Sequence, residues 1–345
     1  MKNNAFIFIY FFTLQSLFPM HNTDFSKDVH TLIDIKPYCI KYINNKSIIV
    51  GHSTGCSIIN IKTNEKKNIS NTKCTQVKLF PDNKIAFTQK KSLHIYNMQN
   101  GIIENTINIE NHEYILEICP SPCENKIFLL INDITASSNN LVPYILKNSM
   151  YVKKNAAHTT NTTHFVNIQH HPKKPIVYIQ TYDGSNNNGQ LLIYNTSNFS
   201  KPLQQYNYKG TSPLYILQDK CFFITKSSSN QSFSLLNLDL QKTQEFYLPD
   251  IWADVLDICL YPKENIITAV SKATIKKRKY LYNLCFFDTQ SGKLIHKIPI
   301  DFTSDFDRIF EFSPDGKSVT FGFCNQAKTQ QLSTTEIIQV ESGNW

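Results

Sequence analysis

An all-β fold built from repeated four-stranded units is predicted by three observations. Hydrophobic residues make up 41% of the 345 residues and aromatic residues 12%, which is enough apolar material for a large core. Short apolar runs of strand length alternate with turns containing Pro, Asp, Asn and Gly. A hairpin pattern recurs about every 45 residues. The same composition, with 10 Gly and 18% charged residues, excludes collagen-like, low-complexity and long coiled-coil chains.

The hairpin pattern is clearest in the segment FEFSPDGKSVTFGF at 310–323, where a Pro-Asp-Gly-Lys turn joins two apolar strands. Weaker copies lie at 40–51, 77–88, 117–130, 167–179, 215–225 and 257–270. The equivalent turn residues of the seven copies are Asn44, Pro81, Pro122, Pro172, Gln218, Pro262 and Pro314. Seven hairpins at similar intervals predict seven structural repeats.

A third strand follows each hairpin, and several repeats add a fourth. The third strands lie at 56–65, 93–101, 141–148, 190–198, 234–242, 283–292 and 335–343. Fourth strands are represented by IIENTINIE after the second hairpin and KLIHKIPID after the sixth. Seven units of four strands predict a seven-bladed β-propeller with four-stranded blades. The alternative, two separate β-sandwiches, accounts for the strands but not for the sevenfold period.

The repeats resemble WD40-type repeats in a degenerate form, and the resemblance covers roughly residues 28–345. The closest matches are FSPDGKSVTF and LCFFDTQSGKLIHKI in the last two copies. The chain contains no Trp-Asp dipeptide; Asn97, Asn195 or Asp288 stands where the family has its Asp, and Gly51-His52 lies on a second strand instead of at the family's Gly-His position. The resemblance implies a propeller and implies nothing about catalysis.

The closure of the ring is also predicted. The sequence ends at Trp345 after a third-type strand, so the seventh unit lacks its outer strand. The apolar stretch DVHTLIDI at 28–35 precedes the first hairpin and has no partner of its own. Because propellers of the resembled family pair an N-terminal strand into the last blade, we expect residues near Val29 to Ile35 to supply that outer strand. Such pairing removes an open sheet edge.

The N-terminal segment predicts a signal peptide over residues 1–20, followed by the propeller at 21–345. Lys2 precedes a 14-residue apolar run from Ala5 to Phe18. That run is too short to cross a bilayer, so no transmembrane span is expected. Small residues typical of a cleavage site are missing around Phe18 to Met20. The protein is therefore expected to be exported, periplasmic or secreted, and otherwise cytoplasmic if the segment is a buried strand.

The nine cysteines do not predict a disulfide framework, since an odd number cannot all pair within one chain. Cys39, Cys119, Cys259 and Cys285 lie in apolar runs and are expected to be buried thiols. Cys119 and Cys123 form a C-x3-C pair without a second pair or a correctly spaced His group, which argues against zinc. Free thiols and an export signal point to different compartments, and the sequence leaves that open.

A binding surface is suggested by unequal connections between strands. The turns between first and second strands are short, which defines the short-turn face. Long polar inserts lie between second and third strands, or between repeats, and define the long-loop face; they are 132–140, 153–164, 183–189, 227–232, 271–280 and 325–334. Long loops on a rigid scaffold often carry binding, so a protein partner is expected on this face of a monomeric propeller. Neutral Asn-rich expansion is the alternative.

The strongest basic run is Lys276, Lys277, Arg278 and Lys279, and it is the candidate binding site for an acidic partner surface. A solvated loop is the alternative. The net charge of +8 is carried almost entirely by Lys, since Arg occurs only at Arg278 and Arg308. Arg makes the bidentate contacts that read bases, so sequence-specific nucleic-acid binding is not expected.

Catalytic motifs are missing from the sequence. It contains no G-x-S-x-G elbow, Gly-rich phosphate loop, H-E-x-x-H or EF-hand loop. His158, His164, His170 and His171 are close in sequence but lack accompanying carboxylates, so exposed or loop histidines are expected instead of a metal site. The sequence therefore predicts a non-enzymatic interaction scaffold with no catalytic residue, cofactor or metal. The alternative is a lactonase- or hydrolase-like propeller enzyme with its active site at the central channel.

Overall fold

The computed structural model consists of β-strands joined by turns. It describes residues 29–33, 37–80, 82–122, 125–155, 158–160, 164–171, 173–183, 188–199, 201–209, 214–217, 220–226, 232–236, 242–249, 253–261, 266–276, 279–300, 306–316, 318–323 and 335–339. The predicted signal peptide lies outside these residues. Among them, no helix is long and apolar enough to cross a membrane. The strands of the described residues form seven antiparallel sheets.

The first strand of the chain is β1 (Val29–Ile33), which belongs to the last sheet. Sheet 1 contains β2 (Pro37–Asn44), β3 (Ser47–His52), β4 (Gly55–Asn60) and β5 (Lys66–Ser70). Sheet 2 contains β6 (Val77–Leu79), β7 (Lys84–Gln89), β8 (Ser92–Asn97) and β9 (Ile102–Asn108). In both sheets the strand order follows the chain, so each is a four-stranded meander.

Sheet 3 contains β10 (Glu113–Pro120), β11 (Lys126–Asp133), β12 (Ser138–Lys147), β13 (Met150–Lys153) and β14 (His158–Thr160). Sheet 4 contains β15 (His164–His170), β16 (Ile176–Asp183), β17 (Asn188–Asn195) and β18 (Gln204–Lys209). β13 pairs with the C-terminal part of β12, and β14 pairs further along the same strand. Together they make one interrupted outer strand, so sheet 3 keeps the four-strand plan.

Sheet 5 contains β19 (Leu214–Leu217), β20 (Lys220–Lys226), β21 (Ser232–Leu236) and β22 (Lys242–Tyr247). Sheet 6 contains β23 (Ala253–Leu260), β24 (Ile266–Lys276), β25 (Lys279–Asp288) and β26 (Leu294–Ile300). Sheet 7 contains β27 (Phe306–Phe312), β28 (Ser318–Phe323), β29 (Thr335–Gln339) and, on its outer edge, β1. The prediction of an all-β propeller with four-stranded blades is confirmed.

The burial pattern explains why these sequences form sheets that stack side by side. The second strands are nearly continuous apolar runs, such as SIIVGH in β3 and KIFLLIND in β11, and both faces of them are buried. A strand buried on both faces needs a layer on each side. The outer strand β5 is instead largely exposed. Sheet 1 is therefore apolar in its middle and more polar at its outer rim.

Neighbouring sheets share apolar cores, as the stacking requires. Ile49 of sheet 1 packs with Phe87 of sheet 2, and Phe233 of sheet 5 meets Phe287 of sheet 6 with ring centroids 5.4 Å apart. Similar cores join sheets 2 and 3 around Leu93 and Leu129, sheets 3 and 4 around Phe128 and Ile179, and sheets 6 and 7 around Tyr261 and Phe312.

The Pro-Asp-Gly turn at the start of sheet 7 supplies a further connection. Gly316 adopts a positive φ of 72°, a conformation that glycine tolerates without strain. Its carbonyl accepts a hydrogen bond from the Tyr261 hydroxyl of sheet 6 at 2.8 Å. A side chain on Gly316 would collide with the same tyrosine, which stands 2.4 Å from the position of a Cβ. The turn that the sequence pattern identified therefore also contacts the neighbouring sheet.

The two ends of the described chain pair within sheet 7. β1 pairs antiparallel with β29, aligning Val29 with Ile338 and Ile33 with Thr335. This confirms the predicted outer strand over 29–33, while residues 34 and 35 lie outside the described residues. Sheet 1 also contacts sheet 7 directly, because the Tyr42 hydroxyl and the Thr320 hydroxyl lie 2.8 Å apart in a buried hydrogen bond.

Removing β1 should destabilise the protein. Deletion of residues 21–36 leaves β29 as an open edge, and we expect the melting temperature to fall by about 5 °C or more. Differential scanning fluorimetry measures this, with a chain lacking only residues 2–20 as the matched control. Equal melting temperatures for the two truncated chains would show that the β1–β29 pairing contributes nothing to stability.

Candidate functional site

The long-loop face has hairpins of unequal height. The second strand has six residues in sheets 1 and 2, eight in sheets 3 and 4, and eleven in sheet 6. At roughly 3.3 Å per residue, β24 reaches about 16 Å further than β3. Sheet 6 therefore carries the tallest hairpin in the described part of the chain.

Two of the predicted long loops are mostly strand, so that prediction was wrong at 132–140 and 271–280. β11 ends at Asp133 and β12 begins at Ser138, which leaves a four-residue turn. The Asp133 carboxylate accepts hydrogen bonds from the backbone N–H groups of Thr135 and Ala136 at 2.9 and 3.0 Å. The polar residues on either side extend the ladder instead of forming a loop, because cross-strand bonds satisfy their backbone groups.

The remaining inserts are only partly described. Within 153–164, the residues of β14 pair with β12, so part of this insert is also strand. Residues 184–187, 227–231 and 324–334, which make up most of the other three inserts, lie outside the described residues.

The basic run lies at the tip of the sheet 6 hairpin. Lys276 ends β24 and Lys279 begins β25, and the two residues pair directly across the strands. Lys277 and Arg278 lie outside the described residues. β24 and β25 stay paired up to the run, so Lys276 and Lys279 belong to strands and not to the long polar insert predicted at 271–280. The paired strands β24 and β25 position Lys276 and Lys279, the two described residues of the run.

A bulge recurs at one position of the innermost strand in four sheets. The pairing skips one residue in each case, and the skipped residues are Tyr38, Leu116, Val166 and Leu256. All four are apolar and lie toward the long-loop end of their strands. The sequence analysis missed them, although a shared signal exists: each precedes one residue and then a buried isoleucine, as in Leu116-Glu117-Ile118. Bulges re-aim side chains at rims and functional sites.

Sheet 3 presents exposed apolar side chains on the long-loop face. Tyr114 is 47% exposed, Leu116 39% and Ile134 54%. The register pairs Tyr114 with Asn132, which places Tyr114 and Ile134 on the same side of the sheet. The Lys91 ammonium stands 4.1 Å from the centre of the Tyr114 ring. Exposed apolar side chains with a cation beside one of them are a typical composition for an interaction surface.

Charged side chains from the innermost strands pair between neighbouring sheets. Lys41 of β2 donates to Glu311 of β27 at 2.6 Å. Lys78 of β6 lies 2.8 Å from Glu117 of β10. Burial lowers the pKa of Lys41, but the facing Glu311 carboxylate outweighs it and leaves that pKa above its ordinary value. These two carboxylates are thus engaged in ion pairs on the inner wall of the ring.

A buried polar network surrounds His52 at the long-loop end of sheet 1. Its Nε2 lies 2.9 Å from the Ser57 hydroxyl, which donates to Asn68 at 2.9 Å. His52 Nδ1 lies 3.1 Å from the Thr54 hydroxyl. Burial lowers the pKa of His52 to about 4, with Lys66 adding to the effect. The Ser57 proton is directed at Asn68, so Ser57 is not an activated nucleophile here.

A cleft opens on the short-turn face, where the innermost strands of sheets 2, 3 and 4 end. It has a volume of about 490 Å³ and an apolar lining that includes Phe80, Ile118 and Ile168. His170 lies at its wall. The Nδ1–H of His170 donates to the backbone carbonyl of His171 at 2.6 Å, which leaves Nε2 to accept from the Ser121 hydroxyl at 3.1 Å. The sequence analysis did not foresee this pair, because its two residues are 49 positions apart.

The four clustered histidines are not brought together as one group. His158 lies in β14 and His164 at the start of β15, while His170 and His171 lie at the opposite end of that strand. His171 follows β15 in the turn toward β16, as expected of a loop histidine, but it is buried, and its Nδ1 accepts hydrogen bonds from the backbone N–H groups of Lys173 and Lys174. Among the described residues, no group of three or more His, Cys, Asp or Glu is placed to hold a metal ion.

Comparison with known proteins shows the fold alone. The chain is similar to the β-propeller domain of Cps50 (Swd1) from Myceliophteria thermophila, with a TM-score of 0.66 and 9% identity over 90% of this chain and 99% of that one. It is also similar to a chain of a mitotic checkpoint complex, with a TM-score of 0.64 and 10% identity over 98% of this chain and all of the other. No family model and no curated protein matches the sequence.

The His52 network predicts a pH dependence of stability. A histidine whose pKa is lower in the folded protein than in the unfolded chain stabilises the fold fully above the unfolded pKa, which is near 6.5. This stabilisation is lost as the pH falls toward the folded pKa of about 4. The difference in free energy of unfolding between wild type and His52→Asn should therefore narrow between pH 7 and pH 4, by about 3 kcal/mol at most. Urea denaturation at several pH values measures it. If the free energies of unfolding of the two proteins change equally with pH, the pH dependence attributed to His52 is wrong.

Proposed function

We propose that the seven sheets are the blades of one closed, WD40-type ring spanning residues 21–345, and that the ring is a non-enzymatic scaffold for a protein partner. The observation that carries this proposal is the exposed cluster of Tyr114, Leu116 and Ile134 on the long-loop face. Large apolar side chains on a rigid sheet end form the kind of anchor that protein interfaces use at their centres.

The positive charge at the hairpin tip supports the proposal that the partner's contact surface is acidic. Lys276 and Lys279 are directly opposed in the register, and like charges at opposed positions destabilise a strand pair. An anionic group placed between them would relieve that repulsion. The run would also speed the approach of an acidic protein, an effect that weakens as salt is added.

Two arrangements of the described side chains favour binding over catalysis. The inner-strand carboxylates Glu117 and Glu311 are held by lysines of adjacent sheets and are not directed at an open site. Ser57 and His52 form a serine–histidine contact whose proton points the wrong way for nucleophilic attack. One of the similar structures comes from a complex, which agrees with a role in assembly.

The compartment and oligomeric state belong to the same proposal. We infer that residues 1–20 direct export and that the ring acts as a monomer. Support for export comes from the charge and apolar order of the segment. Closure of β1 onto β29 leaves no need for a second copy to cover that edge.

Charge reversal at the hairpin tip tests the partner face. The partner is first captured from the native host and located on this chain by cross-linking mass spectrometry. Replacing Lys276, Lys277, Arg278 and Lys279 with Glu should then slow association at least tenfold at low salt, because steering acts on the association rate. Surface plasmon resonance at several salt concentrations measures the rate.

The matched control reverses Lys173 and Lys174, which are exposed on the short-turn face. This change should leave the association rate nearly unchanged. Circular dichroism checks that both variants fold. Equal effects from the two faces, or cross-links confined to the short-turn face, would refute the proposed surface.

The Ser121–His170 pair favours a second candidate function, a hydrolase with its site in the short-turn cleft. A serine donating to a histidine whose other nitrogen is oriented by a carbonyl has the arrangement of a nucleophile and base. Against it, Ser121 is 4% exposed.

A fluorophosphonate probe distinguishes the two functions. If the scaffold proposal holds, the wild-type protein stays unlabelled, because the hydroxyl is buried. Labelling that is lost in Ser121→Ala and in His170→Gln but kept in Ser57→Ala would instead establish the hydrolase.

A further inference from the structure

Three cysteines meet on one side of sheet 1, around a glycine. The register pairs Cys39 of β2 with Gly51 of β3, and Gly51 with Cys56 of β4. Directly opposed residues point to the same side of a sheet. The two cysteines therefore flank a position that has no side chain, which leaves a gap between them.

Cys74 fills this gap from outside the sheet. It lies in the connection between β5 and β6, and its backbone N–H donates to the His52 carbonyl at 3.0 Å. A Cβ on Gly51 would lie 2.6 Å from the Cys39 sulfur and 2.9 Å from the Cys74 sulfur. The Cys74 thiol donates a hydrogen bond to the Gln76 backbone carbonyl at 3.4 Å, and it lies with Cys56 in one buried cluster against which Cys39 packs. Cys74 is thus the central member of a row of three free thiols.

We propose that Cys39, Cys56 and Cys74 form an oxidation site in which Cys74 and Cys39 are joined in a disulfide by a small-molecule disulfide oxidant. Cys39 is the entry point because it is partly exposed, whereas Cys56 and Cys74 are fully buried. The absence of a side chain at Gly51 is what lets the two sulfurs approach each other.

The reaction takes two exchange steps. The Cys39 thiolate attacks oxidised glutathione, breaks its S–S bond and releases one glutathione thiolate. Cys74 attacks the Cys39 sulfur and passes its proton to the departing glutathione thiolate, which forms the protein disulfide and releases the second glutathione as a thiol. Two protein thiols are oxidised, and one glutathione disulfide is reduced to two thiols.

The environment of the Cys39 thiol limits the rate of this oxidation. The hydrogen bond to Cys74 and burial raise the pKa of Cys39, so little of it is thiolate at neutral pH. Oxidation should be slow at pH 7 and faster at pH 9. Cys56 touches the Cys74 sulfur from the other side and is placed to exchange with it afterwards.

Peptide mapping of the full chain tests the proposal. The folded protein is treated with oxidised glutathione, its remaining thiols are alkylated, and it is digested with trypsin. The three cysteines fall in separate peptides, 28–41, 47–62 and 74–78, because trypsin does not cut between Lys36 and Pro37. We expect a cross-link between 28–41 and 74–78 that forms at least tenfold faster at pH 9 than at pH 7.

Three variants complete the test. Cys56→Ser should keep the cross-link, and so should Cys285→Ser, whose thiol lies by the Ser271 hydroxyl in sheet 6. Cys39→Ser should leave Cys74 reduced over the same time. A first cross-link between 47–62 and 74–78, a lasting glutathione adduct on Cys39, or three thiols that stay reduced at pH 9 would each overturn the proposal. The peptide map of the oxidised wild-type protein shows which two cysteines are joined first, so the test remains valid even if a variant fails to fold.

Discussion

The structure depends on one constraint: the second strands of sheets 1 to 4 are buried on both faces. Ile48 and Ile49 are adjacent in β3 and therefore point to opposite sides, yet both are fully buried. A sheet of this kind is unstable unless another sheet covers each of its faces. A row of such sheets leaves one apolar face uncovered at each end, and closing the row into a ring covers both. The cores shared by Phe87, Phe128, Phe233 and Tyr261 are local consequences of that requirement.

Much of the fold could be predicted because each repeat is marked by turn residues and short apolar runs that are close together in the sequence. Pro-Asp-Gly and Pro-Asp-Asn turns need positive φ at their last residue, and the structure places Gly316 and Asn83 in that conformation. The heights of the hairpins were harder to predict. Residues such as Asn139 and Lys272 look like loop residues, yet they extend strands because pairing satisfies their backbones regardless of side-chain polarity.

The candidate sites were less accessible from the sequence because they join distant residues. The bulge residues Tyr38 and Leu116 share a local signal, but its meaning depends on the register of a partner strand. Cys74 was not expected to meet Cys39, since nothing in either segment encodes the gap above Gly51. The basic run was visible in the sequence, whereas its height above the ring follows from the eleven residues of β24.

The contact between Lys41 and Glu311 spans 270 positions of the chain. During synthesis, β2 leaves the ribosome long before β27 does. One apolar face of sheet 1 therefore stays uncovered until the five following sheets and sheet 7 have been made. Contacts of such long sequence separation slow folding and lengthen the time in which an open edge can pair wrongly. The seam between sheets 7 and 1 is therefore the last part of the molecule to form during synthesis, and the stage at which a holding chaperone would have the most to protect.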